Sequence, residues 1–209
     1  MTRSLDSIKI RLIGSDDFTR KVVDAYDDGS AELGLPADET AGLSWVPAGT
    51  GAMRDFSNIA PDLPVLDAAK CVGCMECVTQ CPDTAILAKV VPAGAHAALL
   101  EKLAADPNAA FLGAQFARTT KYFDVPARKG HEGGMFYLMT DPSKCKGCGE
   151  CVQACGSHAA LTMVPKNAEL MGRFRAAARL FRELPDTPRH YIQDKVLADI
   201  MLKQSTLLY

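Results

Sequence analysis

Eight cysteines are the residues of this 209-residue chain best able to do chemistry, and all of them fall inside two short runs, 67–87 and 141–161. The first reads D-A-A-K-C-V-G-C-M-E-C-V-T-Q-C-P-D-T-A-I-L and the second D-P-S-K-C-K-G-C-G-E-C-V-Q-A-C-G-S-H-A-A-L. Laid over each other at an offset of 74, the two share eleven of twenty-one positions, and each has the spacing C-x2-C-x2-C-x3-C. A [4Fe–4S] cube presents four irons, each of which takes one outside thiolate. Cysteines at i, i+3 and i+6 let a tight loop curl round three corners. The fourth lies beyond, at the start of a short helical turn, with its sulfur directed away from that loop. The chemistry implied is one-electron transfer at two iron–sulfur clusters.

This spacing is the bacterial ferredoxin pattern, in which the fourth cysteine of each run ligates the other cluster. Cys71, Cys74 and Cys77 then take Cys155 as fourth ligand of a first cluster, and Cys145, Cys148 and Cys151 take Cys81 for a second. Gly73, Gly147 and Gly149 allow backbone conformations that larger residues resist, and let main-chain N–H groups approach the sulfurs. Pro82 follows Cys81 as the pattern expects, whereas Gly156 stands in the matching place of the second run.

Two other uses of eight cysteines compete with this one. Four disulfides require an oxidising compartment, and the amino terminus, M-T-R-S-L-D-S-I-K-I, has no apolar core of an export signal. Structural zinc is held by four cysteines in many proteins, but two C-x2-C pairs suffice for one ion and leave the third cysteine of each triplet unused. Reduced thiolates and this terminus lead us to expect the cytoplasm.

Composition narrows the classes further. The hydrophobic fraction is 48% and the formal net charge only −2, which supports a packed core and argues against an autonomous nucleic-acid binder. No stretch of 18 or more apolar residues is present, so no transmembrane helix is expected.

The flanking elements must position the runs. Ser7 to Ile13 alternates Ile8, Ile10 and Leu12 with charged residues, the pattern of a half-buried strand. Ser15 or Asp16 then caps a short helix with Phe18, Val22, Val23 and Tyr26 on one face and Gly29 as its stop. From Gly34 to Pro64 proline and glycine recur without period, predicting an extended connector. Sixty-three residues (Pro82 to Lys144) separate the last cysteine of the first run from the first of the second. Inside them Ala93 to Ala105 reads as a helix striped by His96, Leu99, Leu100 and Leu103, Gly130 to Gly134 as a flexible turn, and Met135 to Met139 as a strand. After Pro165, Leu170, Phe174, Ala177, Phe181 and Leu184 form one helical stripe, with Arg173, Arg175, Arg179 and Arg182 on other faces. Pro185 ends that helix. Thr187 and Pro188 should start a last one carrying Ile192, Val196, Leu197, Ile200 and Met201.

Other polar residues offer less. The four histidines, His96, His131, His158 and His190, form no set with a carboxylate and a nucleophile. His158, close to Cys155, and the equivalent pair Glu76 and Glu150 could tune a cluster's potential, or simply face water.

The lead-in P-A-G-T-G…R-D-F-S-N-I-A-P-D-L-P-V-L-D-A-A-K-C, the long insertion and the run D-P-S-K-C-K-G-C-G-E-C resemble the ferredoxin-like domain of pyruvate and related 2-oxoacid:ferredoxin oxidoreductases. The likeness covers residues 45–165 well and the ends less. It implies an electron relay inside a larger enzyme, in which thiamine diphosphate on other domains or subunits decarboxylates a 2-oxoacid and coenzyme A takes the acyl group. Nothing in this chain resembles a thiamine diphosphate site, and no catalytic residue is assigned.

The expected fold is α+β: an amino-terminal strand–helix and connector (1–65), a two-cluster ferredoxin-like core with an insertion at 88–140 (66–165), and a helical extension (166–209). The expected partners are thiamine-binding subunits and an acceptor, either a ferredoxin or a flavin/NAD subunit. A freestanding two-cluster ferredoxin is the alternative. The apolar stripes at both ends exceed what a small cluster core can cover, so they are expected to dock on another chain.

Overall fold

The computed structural model describes residues 18–35, 55–193 and 197–202. The expected strand at 7–13, the caps at Ser15 and Asp16, and most of the connector lie outside them. The chain divides into two compact units, residues 1–54 with 209, and residues 55–208.

In the first unit a π-helical turn, Thr19–Val23, runs into α1 (Asp24–Asp28), and Gly29 stops the helix with φ +84°, a conformation that costs glycine nothing. The i→i+5 bonding of the opening turn shifts the side-chain register. Ala25 is therefore the residue turned inward, while Tyr26, expected on the apolar face, is 68% exposed.

The second unit places a strand before and after each cysteine run. Strand β1 (Asp62–Leu66) enters the first run and β2 (Ile86–Pro92) leaves it. Strand β4 (Gly134–Thr140) enters the second run and β5 (Leu161–Pro165) leaves it. The pairing is crossed. Antiparallel β1 and β5 set Leu66 opposite Leu161, and antiparallel β2 and β4 set Ile86 opposite Thr140. Each run thus begins on one sheet and ends on the other.

Between β2 and β4 the insertion supplies α3 (Ala93–Leu103), α4 (Ala109–Gly113), β3 (Phe116–Arg118), a π-helical turn at Thr120–Asp124 and α5 (Val125–Arg128). Strand β3 pairs with β4, giving a three-stranded sheet in the order β2-β4-β3. Helix α3 turns its His96, Leu99 and Leu103 edge inward, though none of its residues is fully buried. The 130–134 segment is less free than its glycines suggest. Gly130 makes a left-handed turn, but a methyl group at Gly133 would press on the Phe123 ring, and one at Gly134 would strike Val90 and the ring of Tyr191.

The sheet is buried on both sides, which is why β2 and β4 read as nearly unbroken apolar runs. Ile86, Ala88, Val90, Phe136 and Leu138 join the core that contains Cys151 and Cys155. The opposite face receives α7 (Ala168–Glu183), capped by the Asn167 side chain, which accepts the Leu170 N–H at 2.8 Å. Tyr137 donates its hydroxyl to the Ala177 carbonyl at 3.0 Å. Lys89, only 3% exposed, donates to the Leu184 carbonyl at 2.5 Å and lies 4.8 Å from the centre of the Phe181 ring. It satisfies a carbonyl at the end of α7, and the strand hides its stem.

The stripe Leu170, Phe174, Ala177, Phe181 and Leu184 is therefore buried within this unit, as is Ile192. This corrects the expectation that it needs another chain. The insertion's sheet supplies an apolar face that a minimal cluster core lacks. Among the described residues the last expected helix is replaced by shorter turns. Thr187 instead accepts the Val90 N–H on its hydroxyl at 3.0 Å, and two short 3-10 turns, Arg189–Tyr191 and Leu197–Leu202, follow. Val196 and the side chains of Leu197 and Ile200 lie outside the described residues.

Deleting residues 166–209 would uncover the α7 face of the sheet and strip Leu170, Met171 and Phe174 from the core that contains Cys145. The truncated chain is expected to aggregate and to lose bound iron. Iron content and light scattering against the full chain check this. A monodisperse truncation with full iron would mean that α7 is peripheral.

Candidate iron–sulfur centres

The crossed strands bring cysteines of both runs together around two cavities. Cys71, Cys74, Cys77 and Cys155 line the first, and Cys81, Cys145, Cys148 and Cys151 line the second. The remaining walls differ. Leu66, Val72, Met75, Phe136, Leu138 and Leu161 make the first almost wholly apolar, with exposed His158 at its edge. The second carries Asp83, Lys146 and Glu150, and Cys148 is exposed. Glu76, the counterpart of Glu150, lines neither cavity.

Local backbone conformation builds each cradle. Gly73 and Gly147 adopt φ +69° and +71° within the cysteine loops. A methyl group at Gly73 would meet the Tyr122 ring at 3.0 Å, and one at Gly147 would meet the Asp62 carbonyl oxygen at 3.2 Å. The short helices α2 (Glu76–Thr79) and α6 (Glu150–Cys155) start from equivalent left-handed residues, Met75 at φ +73° and Gly149 at φ +81°. Met75 bears the strain of that conformation because its side chain is 1% exposed in the core.

The fourth cysteines sit in matched but offset turns. Ala85 N–H donates to Cys81 Sγ at 3.2 Å, and Ala160 N–H donates to Cys155 Sγ at 3.2 Å. Each donor follows a non-glycine residue at positive φ, Thr84 (+53°) or Ala159 (+47°). The second turn is one residue longer, taken up by a 3-10 turn at Gly156–His158. Gly156 has φ +52°, which the proline in the equivalent place of the first run could not reach.

The same alanines tie one run to the other. Asp67 N–H donates to the Ala160 carbonyl at 2.8 Å, and Asp141 N–H donates to the Ala85 carbonyl at 2.6 Å. Each aspartate also accepts the N–H two residues on, Ala69 at 3.1 Å and Ser143 at 2.9 Å, which rigidifies the approach to the first cysteine.

The electrostatics suit a cation-rich guest. Burial first, and then neighbouring sulfurs, push Cys151 up to about 12 and Cys77 higher still. Burial likewise raises Cys71 and Cys145, against the pull of the Gly73 and Gly147 N–H groups. Thiolates crowded in such walls need positive charge among them, and irons provide it. Among the described residues no three His, Cys, Asp or Glu side chains close on one point as a single metal ion requires. Soft sulfur donors spread round a cavity match a cube, where each thiolate meets its own iron. No described helix is long and apolar enough to cross a membrane.

Sequence reasoning did not find Tyr122, Phe136 and Leu138 beside the first cavity, or Asp83 and Lys146 beside the second. The last two pair at 2.6 Å across 63 residues. Only their closeness to the cysteines in sequence could have signalled them.

The amino-acid sequence is similar to those of known proteins. Residues 70–160 match the family model described as a 4Fe-4S dicluster domain. A pyruvate-flavodoxin oxidoreductase of Rhodospirillum rubrum is 28% identical over 193 residues, which is 88% of this chain and 14% of that protein. A probable pyruvate-flavodoxin oxidoreductase of Escherichia coli is 32% identical over 143 residues, 66% of this chain and 10% of that protein. A third, from Nostoc, is 34% identical over 121 residues, 58% of this chain and 8% of that protein. This chain therefore spans about a seventh or less of the length of these relatives. It carries an iron–sulfur electron-transfer domain of the 4Fe-4S dicluster kind, similar to the ferredoxin-like region of these pyruvate-flavodoxin oxidoreductases.

Proposed function

We propose that this chain is the iron–sulfur subunit of a thiamine diphosphate-dependent, coenzyme A-acylating 2-oxoacid:acceptor oxidoreductase. It relays single electrons from the thiamine site on partner subunits to a ferredoxin, a flavodoxin or a flavin/NAD subunit, and works in the cytoplasm. The observation that carries this reading is the gathering of four thiols round each of two cavities, in a domain whose relatives are named as pyruvate-flavodoxin oxidoreductases. Within it, Cys71, Cys74, Cys77 and Cys155 hold the first cluster, and Cys81, Cys145, Cys148 and Cys151 hold the second.

Each cluster, when bound, supplies a one-electron couple. The chain's own residues do the rest. Ala85 and Ala160 aim N–H dipoles at the fourth sulfurs, the apolar walls exclude water, and Asp83 and Glu150 add negative charge on the second side. Cluster potentials span about −700 to +450 mV according to such surroundings.

A freestanding carrier is the second reading, and one observation favours it: the α7 stripe is buried in the chain's own core. Purifying the native assembly without oxygen separates the two. Thiamine-binding chains and coenzyme A-dependent oxidation of a 2-oxoacid are expected in the same fraction. A lone chain serving unrelated enzymes would favour the carrier.

Reconstitution tests the ligand sets. The chain is expected to bind about eight irons with matching sulfide. Cys81→Ala should damage the cluster of Cys145, Cys148 and Cys151, and Cys155→Ala the cluster of Cys71, Cys74 and Cys77, read from cysteine Hβ resonances shifted by each cluster. Damage confined to the local triplet would refute crossing, and zinc without sulfide would end the iron–sulfur reading. Both clusters are further expected to titrate as strongly reducing couples. A midpoint above about 0 mV for either would contradict the relay role.

A further inference from the structure

Behind the first cavity lies a charged group that the cysteine pattern does not account for. Tyr122 is 0% exposed. Its ring lies against the Gly73 loop and stacks on Phe136, a wall of the cavity, with centroids 5.3 Å apart at 9°. Its hydroxyl donates to Asp199 Oδ1 at 2.9 Å. Asp199 is also 0% exposed, and it accepts Lys121 Nζ at 2.6 Å on Oδ1 and the Gln193 N–H at 3.1 Å on Oδ2. The Lys121 side chain is 22% exposed.

Full burial of a carboxylate is expensive even when it is paired. A structural latch between 120–124 and 197–202 needs no charge, since apolar residues would serve it as well. The polarity of the arrangement is informative. Its anionic end is enclosed and touches the tyrosine that packs on the cysteine loop, whereas its cationic end reaches water, where its field is screened. The first cavity's own wall holds no carboxylate, unlike the second with Asp83 and Glu150. Burial and the Asp199 carboxylate both hold the Tyr122 hydroxyl in its protonated form, so it remains a donor to Asp199.

We propose that Lys121, Asp199 and Tyr122 form a potential-setting unit for the first cluster, in which the buried Asp199 carboxylate keeps that cluster more reducing than its apolar walls alone would. Asp199 is a positioning residue by this account, acting through Tyr122 and the enclosed space between them. The inference rests on the two-cluster reading above.

The test is a redox titration of the full reconstituted chain, followed by the shifted cysteine Hβ resonances of each cluster. Asp199→Asn is expected to raise the midpoint of the first cluster by at least a tenfold change in its one-electron equilibrium, 59 mV, and to leave the second in place. Lys121→Met, which leaves the carboxylate uncompensated, is expected to move the first cluster the opposite way. If Asp199→Asn does not hold the first cluster, Lys121→Met decides alone. A first cluster unmoved in a loaded variant, or both clusters moving together, would overturn the proposal. Failure of the unaltered chain to load clusters would instead end the reading on which it rests.

Discussion

Two alanines hold the two halves of this domain in register. Ala85 and Ala160 each give an N–H to a cysteine sulfur of their own run and a carbonyl to the aspartate that opens the other run. A shift of one run would break a bond to sulfur and a bond across the runs together. Thr84 and Ala159 remain in left-handed conformations, uncommon for a β-branched residue in particular, because the donor that follows could not otherwise face the sulfur. Strand crossing and cysteine gathering both follow from these few bonds.

The insertion extends this frame into a larger body. A minimal two-cluster core offers one packed interior. Here the β2-β4-β3 sheet has a second covered side, and α7 fills it. Lys89 lies between these layers, its ammonium on the Leu184 carbonyl and its stem among apolar neighbours. Burial lowers its proton affinity, and Asp186, 3.8 Å away, partly restores it. The helix is thereby tied to the sheet at its carboxy-terminal end as well as along its stripe.

Local features were legible in the sequence and distant ones were not. The repeat, the cysteine spacing, the Gly29 stop and the period of α7 depend on neighbours a few residues apart. The fate of the α7 stripe depended on a sheet assembled from three separated segments, so periodicity could show that the stripe is buried but not against what. Lys89 stands as a charge within the apolar strand β2, and the carbonyl that receives it is 95 residues away. Asp199 lies 77 residues from the tyrosine it accepts from. The one-residue offset between the turns after Cys81 and Cys155 was hidden by the repeat itself, since an alignment that matches every cysteine conceals a change of register just beyond the last one.

The pairing of β1 with β5 has a consequence for how the protein is made. Residues 62–66 find their strand partners only at 161–165, about two thirds of the second unit's length later. At a synthesis rate of about 5–20 residues per second, the first cysteine run waits several seconds for the second, with one cysteine missing from the first cradle and three from the second. Reduced, unpartnered thiols on a nascent chain are open to stray metals and oxidants during that interval. Iron delivery to this protein is thus best timed after residues 161–165 have emerged, when closing one long loop completes both cradles together.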